Sequence, residues 1–354
     1  MQPKPIVYNI ETVFAGNDYL GLCRDPRLLE ALYEGGKRYG ISSTSSRWAI
    51  GWTEVHEKLE RDLAKFFNTD DACLLGGTYV GGSVYFEVMR EFHDTVYCDE
   101  FVHSNQYLGM KASGFEIRSF SHLDPADLSA KLAQHTGKPP LIATDGIYGI
   151  SGEIAPLKEL WALTQKHGGR LFIDDAHGVF SLGPNGRGAA EECSIAGRGI
   201  TILGSMSKAL GCNGGFLVGD QADVDAFRRA SAVCGGSHPA PPIAAASVRA
   251  LEIVDKEPDR LQRMKENAAH MRAVAADHGI EVVSSIGPII ALVLQDEFEA
   301  QALSKHFLTF GLGVPYFKYP SEPRQNFLRC VSRASYTEEN LQTFSKALRT
   351  RPRA

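Results

Sequence analysis

The sequence has no CxxC pair, no excess of positive charge, no apolar run of membrane length and no low-complexity stretch. Each absence excludes something. The seven cysteines (Cys23, Cys73, Cys98, Cys193, Cys212, Cys234, Cys330) are odd in number and scattered, so neither a zinc knuckle nor a thioredoxin-type redox pair is available. Reduced thiols, mostly small core residues, are expected, and no metal site. With 37 basic against 42 acidic residues the formal charge is −5, which argues against nucleic acid as a partner. No apolar stretch approaches the roughly 20 residues of a membrane helix, so no membrane partner is expected. The opening MQPKPIVYNI carries no cationic leader before an apolar segment, so no secretory signal is expected and the chain reads as cytoplasmic. A composition of 44% hydrophobic and 22% charged residues excludes disorder, collagen and coiled coil. A length of 354 residues exceeds the usual limit of one core, so a large and a small lobe are expected.

What is present is an alternation of short apolar runs with helical patterns. Ala72–Leu75, Thr95–Cys98, Leu141–Thr144, Leu171–Ile173, Thr201–Leu203 and Gly215–Val218 read as strands. Amphipathic stretches such as Leu128–Gln134 and Leu157–His167 lie between them. Strand and helix repeated in this way predict an α/β fold, a mostly parallel sheet covered by helices on both faces. After Asp220 the pattern changes to a long helical region opened by prolines, then strands at Ile289–Leu294 and Asn326–Val331. A last helix starts at Thr337, whose Thr and Glu form a capping-box pattern. These elements predict a smaller α+β lobe. The expected division is an N-terminal segment over 1–45 packing with the small domain, a large domain over 46–245 and the small domain over 246–354.

Parallel sheets hold ligands beyond the carboxyl ends of their strands, and four strand ends here carry reactive groups. One ends in Asp174-Asp175-Ala176-His177, one in Gly204-Ser205-Met206-Ser207-Lys208, one in Thr144-Asp145-Gly146, and one in the glycine-rich turn Gly76-Gly77-Thr78-Tyr79. Singly, each has an ordinary reading: a helix cap, a surface lysine, a tight turn. Together they describe one site. Backbone amides and hydroxyls around Thr78, Tyr79, Ser205 and Ser207 suit a phosphate. Asp174 suits a protonated ring nitrogen, since an opposite charge favours the ionised form. His177 can reach a phenolic oxygen, and Lys208 can form a Schiff base with an aldehyde. Pyridoxal 5'-phosphate (PLP) has all four of these handles.

The chain also resembles the fold-type-I PLP-dependent transferases, specifically the α-oxoamine synthase family of acyltransferases. The segments that carry the likeness are GNDYLGL (Gly16–Leu22), RYGISSTSSR, HEKLERDLAKF, DEFVHS with His103, TDGIYGISGEIAPLKEL, FIDDAHGVFSLGPNGRG and GSMSKALGCNGG. The resemblance implies that Lys208 is the Schiff-base lysine, Asp174 the ring-nitrogen partner and His177 the donor to the phenolic oxygen. It implies that His103 stacks on the cofactor ring and assists catalysis, with Thr78, Tyr79, Asp145, Ser205 and Ser207 also in the cofactor-binding set. NFLRCVSRASYT aligns with the segment that carries the substrate-carboxylate arginine, here Arg329, and Asn17 falls near the substrate. The implied reaction is a decarboxylative condensation of a small amino acid with an acyl thioester, from coenzyme A or a carrier protein, to give an α-amino ketone. A homodimer with shared active sites is implied too.

Four positions depart from the family pattern. Thr78 replaces a glycine, Gly149 a serine, and Lys318 stands where arginine is frequent. His238 replaces a threonine that reaches the partner subunit's phosphate, so either that contact is lost or His238 serves as a cationic donor in the cofactor-binding set. Two alternatives share the same machinery: another PLP reaction such as transamination or aldol-type cleavage, and a non-catalytic partner subunit. The retained Lys208 counts against the second.

Overall fold

A computed structural model describes residues 13–284, 286–318, 324 and 326–352. The chain divides into two compact units. The larger comprises Leu20–Tyr148 and Ile154–Leu261; the other takes in the described residues up to Tyr19, Gly149–Glu153, and those from Gln262 onward.

In chain order the larger unit begins with α1 (Pro26–Tyr39), α2 (Glu54–Phe67), β1 (Asp71–Leu75), α3 (Thr78–Met89), β2 (Thr95–Asp99) and α4 (Ser104–Ala112). It continues with β3 (Glu116–Phe120), α5 (Pro125–Leu132), β4 (Leu141–Asp145), α6 (Leu157–Lys166), β5 (Arg170–Asp174), α7 (Ala189–Glu192) and β6 (Ile200–Ser205). It ends with β7 (Gly215–Gly219), α8 (Gln221–Arg229), α9 (Ser231–Cys234) and α10 (Pro241–Lys256). The seven strands form one sheet in the order β1-β7-β6-β5-β4-β2-β3. All pairings are parallel except those of β7 with its two neighbours. Every residue of β2, β4, β6 and β7 is buried, which is why these strands read as unbroken apolar runs. β3 went unrecognised in the sequence for the opposite reason. EIRSF is an edge strand with one buried residue, Phe120; Glu116 and Ser119 are exposed, and Arg118 is half-buried.

Between α3 and the sheet lies an aromatic core in which Tyr85 and Phe172 stack at 4.5 Å and Phe86 meets Phe172 edge-on at 5.1 Å. Cys73 and Cys98 belong to this core, and burial pushes their thiols up to about 12 and about 11. All seven cysteines are free.

The long helical region read from the sequence is two helices, α10 and α11 (Pro258–Asp277). Pro258 brings no N–H, and Glu257 before it leaves the helical conformation at φ −121°, ψ 64°. The smaller unit adds β8 (Ile289–Val293), α12 (Glu297–Thr309), β9 (Phe327–Val331) and α13 (Glu338–Arg349). β8 and β9 pair antiparallel, setting Ala291 opposite Arg329. Phe14 joins this core, stacked on Tyr336 at 4.2 Å, with its backbone hydrogen-bonded to Gly313 and Val331. The cap of α13 closes through Thr337 and Asn340, not a glutamate: Asn340 is the residue at the third helical position. No described helix is long and apolar enough to cross a membrane.

Candidate active site

Two strand ends bring three carboxylates together. The β4–β5 register sets Asp145 beside Asp174, and Asp175 follows directly. Alternation along the strand separates the last two. Asp174 is half-buried, whereas Asp175 is fully buried behind it.

Asp174 accepts hydrogen bonds from Gln106 Nε2 on Oδ2 and from the Ala176 amide on Oδ1 at 3.2 Å. Asp175 Oδ2 accepts from the Ala189 amide at 2.8 Å. A Cβ at Gly146, Gly178 or Gly188 would overlap the Asp175 carboxylate, so these three glycines make the space it fills. At Gly188, φ of 91° also demands glycine. Burial pushes Asp175 up to about 8, against the pull of the Ala189 amide. Asp145 accepts from the His103 amide at 3.2 Å. Its proton is held well above the usual carboxyl range, first by burial and then by the charge of Asp174. The positive charge of Lys208 reaches both Asp145 and Asp175 and opposes these shifts.

Next along the sheet, β6 delivers Ser205, buried, and Ser207, exposed, with their hydroxyls 2.9 Å apart and the Ser207 amide on Ser205 Oγ at 3.2 Å. Lys208 follows, half-buried. Thr78 opens α3 and donates from Oγ1 to the Gly204 carbonyl at 3.2 Å, tying the glycine-rich turn to the end of β6. Gly77, in extended conformation, caps α3 without any side-chain hydrogen bond, so the amides of its first turn are left for a ligand. Tyr79 is exposed at 68%.

His103 caps α4: its Nδ1 accepts the Asn105 amide at 3.3 Å, which leaves the ring proton on Nε2. The same turn also sends Asn105 Nδ2 to the Tyr79 carbonyl and Gln106 to Asp174. The sequence marks His103 but not Asn105 or Gln106, because polar residues in the first turn of a helix ordinarily face water. His177 lies three residues beyond Asp174, half-buried, with its carbonyl accepting Ser181 Oγ at 2.7 Å.

His238 is engaged elsewhere. Its Nε2 lies 2.8 Å from the Gly51 carbonyl and 3.1 Å from Ser43 Oγ, and its ring meets His56 edge-on at 4.4 Å. A carbonyl only accepts, so the proton sits on Nε2. Burial and then the nearby Arg47 push His238 down from the ordinary histidine range. In this chain it is a neutral ring inside a local knot with Trp52 and His56.

In the smaller unit Arg329 is half-buried. Nε donates to the Gly149 carbonyl at 2.5 Å, Nη1 to the Ala15 carbonyl at 3.1 Å, and Nη2 to Asn17 Oδ1 at 2.8 Å. Arg329 and Asn17, two residues far apart in sequence, are thus joined directly.

The donor set of the larger unit fits PLP: uncapped helix amides and hydroxyls for phosphate, a braced carboxylate for the ring nitrogen, and an amine for the aldehyde. The comparisons agree. The family model for aminotransferase class I and II matches residues 10–348. The 8-amino-7-oxononanoate synthase of Symbiobacterium thermophilum is 33% identical over 346 residues, covering 96% of this chain and 88% of that one. That of Chromohalobacter salexigens is 32% identical, covering 95% and 88%. Among solved structures, serine palmitoyltransferase from S. paucimobilis with PLP bound matches at a TM-score of 0.89 and 26% identity, covering 95% of this chain and 87% of that one. On its fold, its strand-end constellation and these relatives together, the chain belongs to the α-oxoamine synthase family and is a PLP-dependent enzyme.

Proposed function

We propose that the enzyme condenses a small α-amino acid with an acyl thioester, releasing carbon dioxide and leaving an α-amino ketone. The observation that carries this reading is Arg329. Its guanidinium is held by two carbonyls and an amide oxygen, and no carboxylate pairs with it among the described residues. A surface salt bridge would have such a partner. A half-buried guanidinium held only by neutral oxygens is suited to an amino acid's carboxylate. Asn17 holds it from the side, and Gly149, the position where the family has serine, contributes its carbonyl. The likeness to two 8-amino-7-oxononanoate synthases and a serine palmitoyltransferase supports this reading.

When bound, PLP supplies an electron sink for charge developed at the substrate's α-carbon. The chain's residues would divide the remaining work. Asp174 holds the ring nitrogen, His177 donates to the phenolic oxygen, and the α3 amides with Thr78, Tyr79, Ser205 and Ser207 hold the phosphate. Lys208 anchors the cofactor and takes the α-proton at Nζ. His103 stacks on the ring, and its Nε2–H is the proton available to a thioester carbonyl or to the departing carboxylate. His238 is outside this set while its Nε2–H stays on Gly51. A homodimer would cover Ile41, Trp48, Ile50, Tyr79, Val80, Tyr107 and Leu108, all large apolar side chains left exposed.

The test supplies glycine, L-alanine and L-serine separately with acyl-coenzyme A or an acyl carrier protein, and follows carbon dioxide and amino ketone. One amino acid should yield both products in equal amounts. Arg329→Lys should raise KM for that amino acid by about 10- to 100-fold with a smaller effect on kcat. Accumulation of the pyridoxamine form without carbon dioxide would replace this reading with transamination.

A further inference from the structure

Gln106 is a second, unexpected element of the site. It is 1% exposed, and its carboxamide is divided between two fates. Nε2 donates to Asp174 Oδ2. Oε1 is buried without a hydrogen-bond partner. The orientation is forced, because a carboxylate accepts and only the amide nitrogen can donate to it.

An orphaned buried carbonyl oxygen is costly, and native proteins keep few of them. A leucine or methionine here would fill the same space with no such loss. The neighbourhood is also shaped around the carboxamide. A Cβ on Gly82 of α3 would overlap Oε1 and stand 2.5 Å from Cδ, so only glycine leaves room for it. A Cβ on Gly109 would come within 2.8 Å of Ser83 Cα, so α3 and α4 cross at backbone contact and bring Gln106 beneath the end of β5. The chain thus spends two close helix contacts and an unsatisfied oxygen on one hydrogen bond to Asp174.

The geometry points to Gln106 as a positioning residue for PLP binding: by donating to Asp174 Oδ2 it orients that carboxylate toward the cofactor's ring nitrogen. Such charge-assisted bonds are among the stronger and more directional ones, which suits them to fixing a carboxylate's orientation. Gln106 acts through Asp174 and touches no reacting atom. The inference rests on Asp174 being the ring-nitrogen partner.

The experiment measures the PLP dissociation constant of the apo-enzyme, the visible band of the bound cofactor, and the melting temperature of the apo-enzyme. Gln106→Met, Gly82→Ala, Asp174→Asn and the Gln106→Met/Asp174→Asn pair are compared with wild type. Gln106→Met removes the orphaned oxygen, so its apo-form should melt no lower than wild type, while its PLP dissociation constant rises about 10-fold. Gly82→Ala, which presses on the carboxamide without removing it, should move affinity and visible band in the same direction. In the Asp174→Asn background, Gln106→Met should change affinity by less than about 2-fold. A Gln106→Met enzyme that binds PLP like wild type, or one that loses the same 10-fold in the Asp174→Asn background, overturns the inference. If Asp174→Asn alone leaves affinity and band unchanged, the assignment of Asp174 fails and the inference falls with it. The condensation reading can then still be judged from its products.

Discussion

The two ends of β5 are built from the same materials and behave differently. At its start, Arg170 Nη1 reaches Asp223 at 2.6 Å and Asp220 at 3.2 Å. Thr201 donates to Asp223 at 3.1 Å, and the Gly199 amide to Asp220 at 2.9 Å. Burial raises Asp223, but Arg170 pulls it back, and each acid has a donor. Four residues on, Asp174 gathers with Asp145 and Asp175, and Lys208 is the cation whose charge reaches the latter two. Here Asp175 Oδ1 and Gln106 Oε1 lack hydrogen-bond partners. At the first end both acids are matched by donors, and they serve stability. The second keeps buried polar atoms unsatisfied, a departure expected where residues are arranged for a site rather than for stability.

The largest effect expected is from Lys208→Ala, which should reduce turnover by at least about 10³-fold while leaving the fold intact. Turnover assays beside a melting curve check it. If instead the variant unfolds, Lys208 is structural and the contrast between the two ends fails. Next come two substitutions that should separate the ends cleanly. Asp223→Ala should cost about 2–4 kcal/mol by removing the buried acceptor that Arg170 and Thr201 share, with PLP affinity unchanged. Asp174→Asn should do the reverse, weakening PLP binding while stability moves by no more than about 1 kcal/mol. Denaturant titration and PLP titration of both variants decide it.

The smallest effect is a pH dependence. Asp175 binds its proton more tightly folded than unfolded, because burial raises it to about 8. Its contribution to stability is therefore fully present below the unfolded value of about 3.9 and is lost as pH rises through about 8. Asp175→Asn has no proton to lose. Its melting temperature relative to wild type should climb steadily between about pH 4 and pH 8 and level off above. A constant difference across that range would mean that the glycine-lined space does not keep Asp175 neutral.

The buried parallel strands were readable because burial on both faces writes an uninterrupted apolar run, and a run that ends in Asp, Lys or Ser marks a site. β3 was unreadable because an edge strand has no such signature. Asn105 and Gln106 were passed over because nothing in HSNQ distinguishes a helix turn facing water from one facing two strand ends. His238 was read as a possible cationic donor, since the sequence could not reveal the Gly51 carbonyl, 187 residues away, that takes its Nε2–H.

By itself, then, the sequence determined the strand runs, the reactive groups at their ends, and the order of segments that identifies the family. These are local properties, carried by residue type and spacing. Only the tertiary structure decided which of two consecutive aspartates faces the site, since strand alternation sends Asp174 outward and Asp175 into a glycine-lined interior. It alone joined Arg329 to Asn17 and Gln106 to Asp174, because a hydrogen bond between distant residues depends on where whole elements cross. No pattern within either segment encodes that crossing.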